Sequence, residues 1–306
     1  MEKFVITVDS ACDCALSELR KNNVEVIFFK YSDGTKMYTD TMDETGYRKF
    51  YQDMKDGKVF KTSQINPQEY YEFFEQFIKQ GKKVLHVSLA SGLSNTFNNI
   101  FVAKAQLEEN YPGCVLRPID SKLASLGLTQ LVDQAIICRD KGMDIEDTYN
   151  YVSGLVKHIN TYYTTDDLKY FGRGGRLSKI EAFVGNVLHI NPILDCLPDG
   201  QLRVIAKVRG IKKATKLFYD KIDETLEHPE DQTLYICHAD AEERALRIRD
   251  TLMSKYKFKD VKVYFMGPII GSHAGPGLLA AFYFGKPRIK PEGFDEQNKK
   301  EYEKDD

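Results

Sequence analysis

Short apolar runs alternate with longer segments of helical period through the first half of the chain, and this alternation leaves few folds open. Residues 4–8 read as a buried strand, and residues 24–31 as a second one closed by the turn Ser32-Asp33-Gly34. Asn66-Pro67 supplies an N-cap with proline at the first helical position, and the helix it opens runs to Gly81. A strand at 83–87 leads through 88–95 into a helix ending near 110, and a strand at 114–119 leads into a helix at 123–141. A further helix starts at the cap Asp144 and continues to about 159. Strands joined by helices of this length require right-handed crossovers, so this part predicts a parallel α/β sheet.

Beyond residue 160 the texture changes. Residues 190–197 and 201–208 flank Pro198-Asp199-Gly200, the pattern of a hairpin with antiparallel partners. A helix at 211–227, a strand at 233–237, a helix at 241–255 and a strand at 261–266 follow. The reading is an α/β protein of two domains: a parallel sheet domain at 1–159 and a second α/β domain with an antiparallel sheet at 160–291. The charged stretch 292–306 lacks an apolar stripe and is read as a frayed end. At 306 residues the chain is long enough for two such cores with a cleft between them.

A net charge of −2 provides no basic field for nucleic acid. The six cysteines are scattered without metal-site spacing, so they are read as reduced thiols, with no metal and no cofactor expected. The opening MEKFVITVDSACD lacks the pattern of a secretory leader, and no apolar stretch approaches the ~20 residues that span a bilayer. The expectation is a cytoplasmic protein without stable membrane insertion.

Four segments place small, hydroxyl or cationic residues beside predicted elements. Lys61-Thr62-Ser63-Gln64 precedes the helix capped at Asn66; its hydroxyls suit either a turn or an anion contact. Ser88 to Thr96 follows a strand and opens a helix, where free N–H groups and the dipole favour a carboxylate or phosphate. Gly92-Leu93-Ser94-Asn95-Thr96 also approaches a nucleophile elbow but lacks its second glycine. Gly172-Arg173-Gly174-Gly175-Arg176 offers two guanidiniums without the spacing of a phosphate loop or dinucleotide fingerprint. The stretch 267–277 crowds glycine and proline around His273, which is read as a constrained loop with a functional histidine. Its ordinary pKa of about 6.5 would make both charge states accessible, and an anionic ligand would then bind more tightly as the imidazole protonates.

In this order the segments resemble the DegV family of bacterial fatty-acid-binding proteins, from Asp9-Ser10 through Thr62-Ser63-Gln64, Ser91-Gly92-Leu93-Ser94, Gly174-Gly175-Arg176 and Lys207-Val208-Arg209 to the 271–277 segment. The resemblance implies that Thr62 and Ser94 hold a fatty-acid carboxylate, with His273 close to the same head group. It also implies a long-chain fatty acid lying between two domains and presented to a separate ATP-binding fatty acid kinase subunit, which would form an acyl phosphate. Arg173 and Arg209 are then candidates for phosphate or kinase contact. Phe183, Val187, Leu188, Ile190, Ile193 and Leu194 are candidates for lining the tail tunnel. Three positions depart from the family pattern: Asn95 in place of a glycine, Ile65-Asn66 in place of Pro-Ser, and Gly210 in place of a hydroxyl residue. The alternative from another class is a serine hydrolase or acyltransferase using Ser94 and His273.

Overall fold

The computed structural model describes residues 4–176 and 190–290. Strand β1 (Val5–Asp9) runs into a short 3-10 turn, followed by helix α1 (Leu16–Lys21) and β2 (Val24–Ile27). Next come β3 (Lys30–Ser32), β4 (Met37–Thr39), α2 (Tyr47–Lys55), β5 (Lys61–Ser63) and α3 (Pro67–Ile78). The alternation continues through β6 (Val84–Ser88), α4 (Thr96–Asn110), β7 (Leu116–Asp120), α5 (Leu126–Asp140) and α6 (Ile145–Leu155). The remaining elements are β8 (Ile159–Thr164), α7 (Lys169–Gly174), β9 (Ile190–Cys196), β10 (Leu202–Arg209), α8 (Ile211–Thr225), β11 (Thr233–His238), α9 (Glu242–Lys255), β12 (Asp260–Phe265), α10 (Pro268–Ala274) and β13 (Leu279–Phe284).

The architecture is α/β. Strands in the order β2-β1-β6-β7 form a sheet that is parallel throughout. All five residues of β1 and of β6 are buried, as expected for strands covered on both faces. A second sheet, ordered β10-β9-β8-β13-β11-β12, is antiparallel except for the parallel pair β11 and β12. One apolar cluster joins residues of both sheets, including Ile6, Val8, Leu85, Tyr163, Cys237 and Phe282. A third, small antiparallel sheet, β4-β3-β5, carries Thr62 opposite Tyr31.

Several local expectations are corrected. The run 24–31 divides between two sheets: the Phe29 N–H donates to the Ser10 hydroxyl at 3.1 Å, and the Phe29 carbonyl accepts from the Asp40 N–H at 2.9 Å, which draws the chain out of the parallel ladder. The helix expected to reach 159 stops at Leu155, and Ile159–Thr164 becomes a fully buried strand; its β-branched and aromatic residues suit a pleated core. The segment 267–277 contains a seven-residue helix in place of a loop. Proline at the first helical position starts it, and Gly275, at φ +76, ends it. A side chain at Gly275 would strike the Tyr170 ring, with Cβ 2.1 Å from Cδ2, so glycine there permits close packing of α10 on α7.

Candidate functional site

The turn after β5 is fastened to the start of α4. The Ile65 N–H donates to Thr96 Oγ1 at 3.2 Å, and the Asn99 amide donates to the Ile65 carbonyl at 2.8 Å. These bonds bring residues 62–64 beside the loop that carries Ser94. Ile65 is buried, while Asn66 caps α3 in a reciprocal capping box with Glu69, which accounts structurally for the Ile65-Asn66 pair. Ser94 lies two residues before α4, and its hydroxyl accepts from the Thr96 N–H at 3.2 Å. Asn95, at the N-cap, makes no side-chain capping bond, so the helix presents backbone donors at this end.

Helix α10 brings His273 to the same place. Its Nε2 lies 2.8 Å from Thr62 Oγ1, a hydrogen bond between residues 211 apart in sequence. Gly174 lies flat against the imidazole: a Cβ there would sit 2.4 Å from His273 Nδ1. That nitrogen is buried and has no partner among the described residues. Burial, with the nearby Arg176 charge, pushes the His273 pKa down to about 4, so the imidazole is neutral at pH 7. The expectation of two accessible charge states near neutrality is therefore revised for the ligand-free protein.

Thr62, Ser94 and His273 line one cavity of about 80 Å³, room for several water-sized groups. Its other walls are mostly apolar: Phe29, Leu89 and Leu93 from the first half, and Tyr163, Phe171, Met266, Ile269 and Leu278 from the second. Thr62 and His273 are bonded to each other, Ser94 follows Leu93 beside Arg176, and Ser125 is a further polar wall residue, so a cluster of polar groups adjoins an otherwise oily space, an arrangement suited to an amphiphile with an anionic head. Arg176 adds a half-buried guanidinium to the wall, where its Nε donates to the Leu93 carbonyl at 3.2 Å and its Nη1 to the Gly174 carbonyl at 2.5 Å. In the sequence Arg176 stands only within a motif while Arg173 and Arg209 are the candidates; the signal that separates them is burial, which composition does not reveal.

On the outer side of the Thr62–His273 pair lies a cleft lined by Lys58, Lys61, Arg173 and Arg176, together with Thr62 and His273 themselves. Arg173 is exposed, with its guanidinium 5.8 Å from the centre of the Tyr170 ring. Arg209 is exposed at the end of β10 and lines neither space. Ile193 packs in the cluster between the second sheet and its helices, and Leu194 packs in the larger cluster that joins the two sheets. Ile190 is half-buried on β9, and these three residues do not line the cavity. Phe183, Val187 and Leu188 lie outside the described residues.

The hydrolase arrangement is not assembled. The imidazole bonds to Thr62 rather than Ser94, the Ser94 hydroxyl is engaged with its own turn, and no acid among the described residues orients His273 Nδ1.

The DegV family model, described as an uncharacterised protein of that family, matches residues 3–286. The chain belongs to the DegV family. A DegV domain-containing protein of Clostridium perfringens is 33% identical over 286 residues, covering 93% of this chain and 98% of the relative. One from Lactococcus lactis is 30% identical over 281 residues, covering 91% and 96%. Among solved structures, a fatty acid binding DegV family protein of Streptococcus agalactiae superposes with a TM-score of 0.81 at 26% identity, covering 94% of this chain and all (100%) of that one. A DegV lipid binding protein of Thermotoga maritima gives 0.80 at 26% identity, with 94% and 99% covered. A DegV family structure from Ruminococcus gnavus, described with vaccenic acid, gives 0.84 at 23% identity, covers 92% and 100%, and supports the fold.

Proposed function

We propose that this DegV family chain binds a long-chain fatty acid and presents its carboxylate to a separate ATP-binding kinase subunit for conversion to an acyl phosphate. The observation that carries the binding part is the Thr62–His273 hydrogen bond in the polar cluster of a mostly apolar cavity that Ser94 also lines. With the neutral imidazole donating from Nε2 to Thr62 Oγ1, the threonine hydroxyl is free to donate to a carboxylate oxygen. The Ser94 hydroxyl and the start of α4 supply further donors. Each charge-assisted bond contributes about 1.5–3 kcal/mol, while each buried methylene contributes about 0.8 kcal/mol. The tail therefore sets most of the affinity and the head sets the orientation.

The presenting role rests on the family resemblance and on the cationic cleft at the outer side of the Thr62–His273 pair, where Lys61 and Arg173 would face an incoming phosphoryl group. The chain itself then performs no chemistry; it holds one carboxylate oxygen where a partner's ATP can be attacked. Arg209 is assigned to partner contact. The same reading divides the chain into 1–159, 160–291 and the tail 292–306, and places the protein in the cytoplasm. No helix among the described residues is long and apolar enough to cross a membrane.

Native mass spectrometry of the protein purified from bacterial cells tests the binding claim. A noncovalent fatty acid is expected, and lipid-free protein that also ignores added palmitate refutes it. For presentation, Arg209→Ala is expected to retain lipid and lose partner-dependent acyl phosphate formation; wild-type rates with the reconstituted partner remove Arg209 from that role.

A further inference from the structure

The head-group end of the cavity draws Thr62 from the small sheet, Ser94 from the loop after β6 and His273 from the helix after β12, and one five-residue turn is bonded to the last two of these segments. It is the turn Asp9-Ser10-Ala11-Cys12-Asp13 at the end of β1, whose two carboxyl side chains are buried. Asp9 Oδ2 accepts from the Leu89 N–H at 2.8 Å and from the Ser88 hydroxyl at 3.0 Å, while its Oδ1 accepts from the Ala11 N–H at 3.2 Å. The next residue after Leu89, Ala90, accepts from the N–H groups of Leu93 and Ser94 at 3.0 and 3.2 Å. The path from the Asp9 carboxyl to Ser94 is thus one side-chain bond to Leu89 followed by one hydrogen-bonded backbone turn from Ala90 to Ser94.

Asp13 does the corresponding work on the other wall. Its Oδ1 accepts from the Gly267 N–H at 2.8 Å, and the Gly267 carbonyl accepts from the Gly271 N–H at 2.9 Å, the first turn of the helix that carries His273. Asp13 itself adopts the left-handed conformation, φ +54, which turns its carboxyl toward that helix. Both carboxyl groups lose solvation in this position, and burial raises their pKa to about 7 and about 8 against the pull of the hydroxyl and backbone N–H donors around them. Burying two carboxyl groups 4 residues apart is costly, and at Asp9 the carboxyl offers two acceptor oxygens to separate backbone N–H groups, which serine or asparagine cannot match.

We propose that Asp9 and Asp13 are positioning residues for the head-group site: together they fix the spacing between Ser94 and His273 by bracing both walls from one turn. Neither side chain lines the cavity, so each acts through the backbone it holds. This inference rests on the fatty-acid reading above.

The two acids differ in a way that makes the claim testable. Both oxygens of Asp9 face backbone N–H groups, so an asparagine there must aim its NH₂ at one of them and lose that wall or the turn. At Asp13 only Oδ1 meets a backbone N–H; Oδ2 lies 3.9 Å from the Cys237 sulfur, which an NH₂ group tolerates. The measurement is the affinity of palmitate relative to palmitate methyl ester, by competition against a fluorescent fatty acid, for wild type, Asp9→Asn, Asp13→Asn and Asp13→Ala. Wild type is expected to prefer the acid. Asp9→Asn and Asp13→Ala are expected to lower that preference at least tenfold while binding the ester within threefold of wild type, and Asp13→Asn is expected to keep it within threefold. Should Asp9→Asn not fold, the Asp13 pair decides alone. A wild type that does not prefer the acid refutes the head-group reading itself. A wild type that does, with Asp13→Ala retaining full preference or losing acid and ester affinity equally, overturns the positioning role.

Discussion

Replacing Thr62 with valine removes one hydroxyl and little else, because valine keeps the branched shape that β5 accommodates. In the free protein the substitution leaves His273 Nε2 without its 2.8 Å partner, in an imidazole whose Nδ1 already has no partner among the described residues. Thr62 and His273 are half-buried, so the stability cost belongs at the low end of the range for an unsatisfied polar group, about 1 kcal/mol. For a chain of this size that is a fall in Tm of about 2 °C. The effect on binding is larger, since a donor to a charged oxygen is lost: about 1.5–3 kcal/mol, or about ten- to 150-fold in Kd for palmitate. Hexadecanol, which offers a neutral hydroxyl head to the same site, should lose only about 0.5–1.5 kcal/mol. Competition binding with both lipids, beside a thermal melt, separates the terms. Thr62→Ser should restore most of the palmitate affinity. Equal losses for acid and alcohol, or an unchanged palmitate Kd in a folded Thr62→Val protein, would refute the role given to the hydroxyl.

Three further outcomes are expected. With the His273 pKa near 4, a bound carboxylate must raise it by about three units, roughly 4 kcal/mol, before the imidazole titrates at neutrality; wild type and His273→Gln should show parallel affinity profiles from pH 6 to 8, and an NMR titration of His273 near 6.5 in the free protein would contradict this. His86 is fully buried with its pKa pushed down to about 3 by burial, so its contribution is intact above about 6.5 and is lost as pH falls toward 3, at about 1.4 kcal/mol per pH unit; denaturant melts of His86→Phe should lack that component of the acid slope. Asp40 has the opposite sign: burial raises its pKa to about 6, so its stability contribution is present below the ordinary carboxyl range and is lost as pH rises through 6, and the Tm of Asp40→Asn relative to wild type should be higher at pH 8 than at pH 5, because the amide does not ionise and its oxygen keeps the Met42 N–H.

Features stated by many residues at once were legible in the chain. Strand β1, the β6 and β7 strands with their following helices, and the hairpin of β9 and β10 around Pro198-Asp199-Gly200 follow from periodicity and turn chemistry, whereas the six-residue helix α1 after β1 does not. Elements of three residues were not legible, and β5, which carries Thr62, is one of them: its place is set by pairing with β3, a tertiary fact. The helix holding His273 was hidden for a different reason. It is only seven residues long with Gly271 in its interior, which lowers helix propensity, and packing against α2 and α7 overrides that preference. Thr62, Ser94 and His273 carried hydroxyl and imidazole chemistry that sequence could flag, whereas the half-buried guanidinium of Arg176 was indistinguishable from its exposed neighbour Arg173 until the fold was known.

The hydrogen bond between Thr62 and His273 spans 211 positions, and Ser94 reaches the same space from yet another sheet. No fragment of the chain owns the binding site. A ligand seated there grips segments from both halves of the polypeptide, so loosening any one sheet would open its grip, and ligand bound only by the native state raises the stability of the whole by RT ln(1 + [L]/Kd). Cargo retention and chain integrity become one property: a nicked or half-melted molecule would drop its load, and a loaded one would resist proteases that cut the empty form.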